Sequence, residues 1–311
     1  MKIALCTLYE GHYHYGVAAL ANSLSVSGYA GTLHVGYRGE LPQWVVTHPS
    51  WDAGTRTLRL SDKFCLYFEL QDTPVFFAYY KARFMRRVLC DLAQDCDAVA
   101  YIDPDIVLKC QWSAIEVWFQ GGLALIEDVN WNLPARHPKR LLWKQWFARE
   151  GVDERRSIGR YYNSGFLGVP REHVAFLDLV DRLCMLVLGY NNGRAHIKAG
   201  DAPDLFHSTD QDAMNFALCA YEAEVPLNTA GCEAMDFAGG GFYFSHAIGY
   251  AKPWMGHHIK LALSGWTPSI ATKAYYRYAN SPIRVYSVAQ FALRRLSLGI
   301  ASTMGRFYRK A

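Results

Sequence analysis

The sequence predicts an α/β fold on three observations: a βαβ-like opening, an amphipathic helix followed by a short apolar strand that ends on an acid, and abundant apolar side chains. With 311 residues, 51% of them apolar, the chain can bury one large core with an appendage rather than fold as several small modules.

Residues 2–8 read as a short buried strand, and residues 15–25 (YGVAALANSLS) as a helix with small and apolar side chains at helical spacing. A second strand near residues 32–37 completes the opening. Between Gly39 and Pro74 no period dominates, and the segment carries no assignment. From Phe77 onward Tyr80, Phe84, Val88 and Leu92 recur every three or four residues, which places them on one helical face. Residues 98–102 (AVAYI) then form a buried strand with Asp103 at its carboxyl end, where open α/β sheets bind ligands. Further strands are predicted near residues 123–126, 165–169 and 242–245, and a helix from about Asp212.

The formal charge of +4 conceals an asymmetry. No acid follows Asp236, so the last 75 residues carry +10 and the first 236 carry −6. A neutral-to-acidic body with a cationic end suggests an anionic partner surface for the end alone. No run of about 18 apolar residues occurs and the start lacks the apolar stretch of a signal peptide, so a cytoplasmic chain that spans no membrane is expected. The eight cysteines are scattered without a CxxC pair, which argues against a zinc site and for mostly reduced core residues.

The first chemical signal is Tyr101-Ile102-Asp103-Pro104-Asp105, two carboxylates one residue apart just past a strand. Hard divalent cations prefer oxygen ligands and often share a site with substrate phosphates. A solvated turn built on Pro104 is the alternative. Three further motifs follow in order: Asn163-Ser164-Gly165-Phe166, Asp210-Gln211-Asp212 with Asn215, and His246-Ala247-Ile248-Gly249-Tyr250-Ala251-Lys252-Pro253-Trp254.

In this order and spacing the sequence resembles glycosyltransferase family 8 and its bacterial lipopolysaccharide galactosyl- and glucosyltransferase relatives. Their pattern runs aromatic-x-DxD, NxG, DQD with a later Asn, and HxxGxxKPW. The resemblance covers most of residues 1–254, while the Pro inside DxD and the stretch from Gly39 to Pro74 depart from the commonest pattern. It implies a GT-A fold: a Rossmann-like nucleotide-sugar domain with a mixed central sheet over residues 1–254, followed by a basic, mainly helical extension over residues 255–311. It also implies retaining transfer of galactose or glucose from a UDP-sugar to an oligosaccharide or lipid-linked acceptor, assisted by Mn2+ or Mg2+.

By the same resemblance Asp103, Asp105 and His246 are the metal ligands, and a neutral imidazole is an acceptable partner for Mn2+. Lys252 stabilises the leaving UDP as charge develops, although a surface lysine before Pro253 is the plainer reading. Gly249 lets backbone approach phosphate. Asp128, Asn163, Asp210 and Gln211 line the donor sugar, with Gln211 nearest the anomeric carbon and Asp210 beside it as catalytic residues. For Asp210 and Gln211 the alternative is a helix start capped by Ser208 and Thr209, where acids suit the helix dipole. The family keeps a donor-contacting Arg on the helix before the metal strand, and Arg83 takes that role among Lys81, Arg83, Arg86 and Arg87. Ile102 joins Asp103 at the donor, and the base meets the loop after the first strand at Thr7, Leu8 and Tyr9, with Tyr15 nearby.

Two rivals compete with transfer. The DPDIV run also fits a haloacid dehalogenase-type phosphatase, but it sits at residue 103 without a convincing later GDxxxD. The other is a non-catalytic sugar-nucleotide-binding protein. Nucleic acid is not expected as a partner, because no recognised reading module accompanies the charge. The end of the chain, with Val288, Phe291, Leu296, Ile300, Phe307 and Tyr308 among Arg294, Arg295, Arg306, Arg309 and Lys310, has the mixture of an interfacial helix. It predicts peripheral docking on the anionic cytoplasmic face of a membrane; the alternative is a helix packed on the body with a basic rim. Gly299 and Gly305 weaken a continuous helix there.

Overall fold

The computed structural model describes residues 1–128, 133–193, 205–236, 241–249, 251–305 and 307. The strands are β1 (Ile3–Glu10), β2 (Gly31–Arg38), β3 (Trp51–Asp52), β4 (Thr57–Arg59), β5 (Phe64–Leu70), β6 (Ala98–Ile102), β7 (Ile106–Leu108), β8 (Leu123–Glu127), β9 (Tyr162–Pro170), β10 (Leu227–Ala230) and β11 (Phe244–His246). The chain forms two compact units: Met1–Leu8, Gln71–Ile102 and Ile115–Cys232 make the first, and Tyr9–Leu70, Asp103–Ala114 and Glu233–Ala311 the second.

In the first unit Ile3 to Cys6 of β1 pair in parallel with Ala98 to Tyr101 of β6, β9 runs antiparallel between β6 and β8, and β10 pairs in parallel with β8. This mixed arrangement leaves β6 fully buried, which explains why residues 98–102 read as an unbroken apolar run. Helices Phe77–Arg87, Ala175–Tyr190 and Thr209–Ala220 pack around it, and Trp143, Phe147, Phe206 and Phe216 join the same core. The predicted face from Tyr80 to Leu92 is only partly realised. Helix Phe77–Arg87 passes into a π turn at Val88–Leu92, closed by Ala93 N–H on the Val88 carbonyl at 2.8 Å, so Ala93 is buried while Leu92 is half-buried.

In the second unit β2 and β5 are parallel, and β5, β4 and β3 form an antiparallel meander. The stretch from Gly39 to Pro74 therefore contains structure: β5 alternates buried and half-buried positions, whereas β3 and β4 are too short to show a period. Helix His14–Ser27 ends on Gly28 at φ +82°, a left-handed cap that glycine adopts without strain. Helix Val288–Met304 starts on a reciprocal capping box between Ser287 and Gln290 and runs through Gly299 without interruption. The core of this unit joins Ala19 and Val107 to Trp254, Tyr275, Tyr276, Tyr278 and Tyr286, so residues on both sides of Trp254 share one interior.

Among the described residues no helix is long and apolar enough to cross a membrane. All eight cysteines are free, and three of them (Cys6, Cys184, Cys219) are buried while five are only half-buried, fewer in the core than their apolar character suggests.

Candidate functional site

In the second unit the acids of the DxD run lie on a tight turn. Ile106 N–H donates to the Asp103 carbonyl at 3.0 Å, with Pro104 at the turn position where its fixed φ is pre-set. A turn and a paired-acid site are therefore the same object here. Antiparallel pairing of β11 with β7 sets His246 opposite Ile106, and Ala247 N–H donates to the Asp105 carbonyl at 3.0 Å. Ligand atoms of Asp103, Asp105 and His246 all lie within 4.8 Å of one another. His246 Nε2 is 3.3 Å from Asp105 Oδ1, and both side chains are below a tenth exposed.

Lys252 belongs to the same cluster. Its Nζ donates to Asp105 Oδ2 at 2.5 Å and to the Ala247 carbonyl at 2.8 Å, and lies 5.6 Å from the centre of the Tyr13 ring. Burial pushes the Asp105 carboxyl up, but His246 and Lys252 outweigh it and hold it well below the usual carboxylate range. Burial disfavours the Lys252 ammonium, and Asp105 more than restores it, so its pKa is raised. Gly249 has φ +92° with no atom within 4 Å of an added Cβ, so glycine is required there by backbone conformation rather than by crowding. Gly16, which the motifs do not single out, is required for space: a Cβ would lie 2.1 Å from the Pro104 carbonyl oxygen. The HxxGxxKPW turn is braced from below in sequence as well. Arg294 Nη1 donates to the Trp254 carbonyl at 2.9 Å and Tyr276 hydroxyl to the Pro253 carbonyl at 3.0 Å.

In the first unit a second cluster joins the end of β8, the start of β9 and helix Thr209–Ala220. Asp128 Oδ2 accepts from Asn163 Nδ2 at 2.7 Å and from Gln211 Nε2 at 3.3 Å. Gln211 Oε1 accepts from Ser164 N–H at 2.9 Å, and Asn163 Oδ1 from Gly165 N–H at 2.9 Å. Asp210 Oδ2 accepts from Ser164 Oγ at 2.8 Å and lies 3.3 Å from Lys81 Nζ. The neighbouring acid does something else: Asp212 accepts from the Tyr161 hydroxyl at 2.5 Å and from His207 and Ser208 N–H groups. Burial raises its pKa, partly offset by those donors. Ser208 makes no side-chain cap, so the helix start is secured by the Asp212 carboxylate instead.

Several sequence expectations land elsewhere. Arg83 points to the surface and pairs with Asp181 at 2.9 Å, and Arg86 pairs with Asp178 at 2.7 Å. Lys81 is the cation that joins the Asp210 cluster, because residues two apart on a helix face different sides. Thr7, Leu8 and Tyr9 lie inside β1, which runs to Glu10, and not in a loop after it; all three are buried. Tyr15 stacks on Tyr286 with ring centres 5.5 Å apart. Ile102 is fully buried as a whole residue. In the tail Phe291 packs against Tyr286 and Arg294 lies over the Tyr286 ring at 4.6 Å, both half-buried, whereas Val288, Leu296, Ile300 and Phe307 are exposed. Arg306, Tyr308, Arg309 and Lys310 lie outside the described residues.

The chain is similar to the solved apo structure of WbbM, a bifunctional glycosyltransferase, with a TM-score of 0.54 at 12% identity over 94% of this chain. It spans about half of that protein's length, 51%. No protein-family model and no curated protein matches the sequence. The mixed α/β architecture shared with that structure is consistent with a GT-A, Rossmann-like glycosyltransferase fold.

Proposed function

We propose that the chain is a retaining glycosyltransferase, related to family 8, which moves galactose or glucose from a UDP-sugar to a hydroxyl of an oligosaccharide or lipid-linked saccharide. The observation that carries this reading is the cluster of Asp103, Asp105, His246 and Lys252 on a chain with the fold of a glycosyltransferase. Two carboxylates and one imidazole suit Mn2+ or Mg2+, and their mutual closeness fits a single ion. Asp103, Asp105 and His246 would hold that ion, and it would supply positive charge against the diphosphate.

The remaining work falls to the chain itself. Lys252, released from Asp105, sets its positive ammonium against the departing UDP as negative charge grows. Asp128, Asn163 and Asp210 orient sugar hydroxyls through the hydrogen bonds their carboxylates and amide can make. Gln211 faces the anomeric carbon, and since an amide oxygen is a poor nucleophile we favour UDP leaving on the face where the acceptor enters. The base is met at the carboxyl end of β1. The basic, acid-free end of the chain serves peripheral docking on the cytoplasmic face of an anionic membrane, through Val288, Leu296, Ile300 and Phe307.

The test is UDP release from a panel of UDP-sugars, with Mn2+, with Mg2+ and with EDTA. Release that needs a divalent ion and one hexose donor supports the reading; full activity in EDTA would remove the metal, and no release from any donor would remove the transferase.

A further inference from the structure

The second unit has a half-open pocket of about 490 Å³, within the range of small-molecule sites. It is lined by the loop that carries Gly249 and Lys252 and by residues Trp266 to Ser269. Trp266 is 65% exposed, and Ile248, Met255, Leu261 and Pro268 extend the apolar surface around it. An exposed indole beside a cavity of this size is apolar surface held open to a ligand rather than closed into a core.

Several polar groups of the lining are already engaged. Ser269 and Thr272 hydroxyls lie 3.0 Å apart, Ser269 Oγ accepts from Thr272 N–H at 3.0 Å, and His258 Nε2 is 3.0 Å from the Tyr276 hydroxyl. None of the described lining residues is Asp, Glu, Asn or Gln. A saccharide buried against the apolar part of the lining would leave hydroxyls without partners, which opposes its binding. An alkyl chain asks only for shape and apolar area, and each buried CH2 adds to its binding. The charge around it favours an anion. Among the described lining residues Lys252, paired with Asp105 at 2.5 Å, is the one fixed charge, and none is an acid.

We propose that this cavity holds the apolar chain of an anionic amphiphile, and that the amphiphile is the lipid end of the acceptor. The assignment to the acceptor rests on the transfer reading above; the binding of the chain does not.

The test is titration of the full chain with monomeric decanoate, followed by calorimetry, in the wild type and in Trp266→Ala and Met255→Asp. Both side chains are solvent-accessible, so the variants keep the fold, which circular dichroism checks. Decanoate should bind the wild type and bind each variant at least tenfold more weakly, while lactose should not bind the cavity. Absent decanoate binding, equal affinity in all three forms, or lactose binding that both variants abolish would each overturn the proposal. Two sources share this chemistry, a lipid-linked acceptor and a free bilayer lipid, and phosphatidylglycerol vesicles separate them. Vesicle binding unchanged by Trp266→Ala supports the acceptor, whereas a loss equal to that for decanoate assigns the cavity to a bilayer lipid and overturns that part. If no UDP-sugar is turned over, the transfer reading fails and the decanoate titration still decides the cavity.

Discussion

The two side-chain clusters differ in what their members already do. In the second unit, charges face charges: Asp105 meets both His246 and Lys252, and its carboxyl is held ionised against the cost of burial. In the first unit, hydrogen bonds face hydrogen bonds: Asp128, Asn163, Ser164 and Gln211 stitch β9 to a helix, with Lys81 and Asp210 as an ion pair within the network. A cluster of the first kind exchanges one cation for another and can therefore receive a metal or a phosphate. A cluster of the second kind presents pre-oriented donors and acceptors, which is what a sugar's hydroxyls need. The difference teaches that Lys252 stands in the second unit where a divalent ion would compete with it.

The largest expected effect breaks the charge cluster. Asp105→Asn should lower UDP release by about three orders of magnitude or more, since it removes a ligand worth several kcal/mol in the transition state. The same change leaves Lys252, whose side chain is a tenth exposed, without its carboxylate, so stability should fall by about 3 kcal/mol. Thermal unfolding together with Mn2+ calorimetry separates the two consequences. Asp105→Asn with full metal affinity would place the ion elsewhere.

A smaller and sharper effect follows from Lys252→Met. If Lys252 acts on charge that grows as UDP leaves, kcat should fall by about two orders of magnitude. Because its ammonium also holds Asp105 Oδ2 at 2.5 Å, removing it should leave Mn2+ affinity equal or tighter. A drop in both kcat and Mn2+ affinity would show that the lysine supports the carboxylate rather than competes for it. A raised KM for donor with unchanged kcat would mark it as a plain binding residue.

The linear motifs made the charge cluster legible because the turn that joins Asp103 to Asp105 is local, and motif order brought in His246. What sequence could not give was pairing across the chain. The bond from Lys252 to Asp105 spans 147 residues, and Gly16 matters only because Pro104 presses on its helix. Within one helix the register is not legible: Lys81 and Arg83 carry the same charge, and only the packed structure shows that the first faces Asp210 while the second faces Asp181. A π turn at Val88–Leu92 cannot be read from a 3.6-residue period, since it adds a residue to the turn. The β3 and β4 strands fall below the length at which alternation is visible. Strand β5 is apolar at six of its seven positions (FCLYFEL), so its alternation in burial from Phe64 to Phe68 appears only in the folded chain.

The hydrogen-bonded cluster is tested by two acids that are neighbours in sequence and opposites in environment. Asp210→Asn should cut turnover roughly tenfold to a hundredfold with little change in melting temperature, because its carboxylate touches Ser164 and Lys81 at the partly open side of the network. Asp212→Asn should leave donor KM unchanged and lower stability by about 1–3 kcal/mol, because it sets an amide against the Tyr161 hydroxyl and two backbone N–H donors. Kinetics and unfolding on both variants decide the assignment. If Asp212→Asn removes activity while Asp210→Asn does not, the roles are reversed.

The smallest effect lies outside both clusters and concerns the body that carries the charged one. His34 on β2 is 5% exposed, its Nδ1 has no hydrogen-bond partner among the described residues, and burial lowers its pKa from 6.5 to about 4. The folded state thus keeps the imidazole neutral where the unfolded chain would bind a proton. Stability from this group is complete above pH 6.5 and is lost as pH falls toward 4, with an upper bound of about 3 kcal/mol. His14, also lowered to about 4 but less buried, adds a smaller slope of the same sign, reduced by solvent screening. His34→Phe removes the titrating group at nearly the same volume, so unfolding free energy measured between pH 4 and 7 should flatten by about the His34 share. An unchanged slope would assign acid sensitivity to other groups. Since the ring lies on β2 and not in the charged cluster, the pH dependence of kcat should stay as in the wild type.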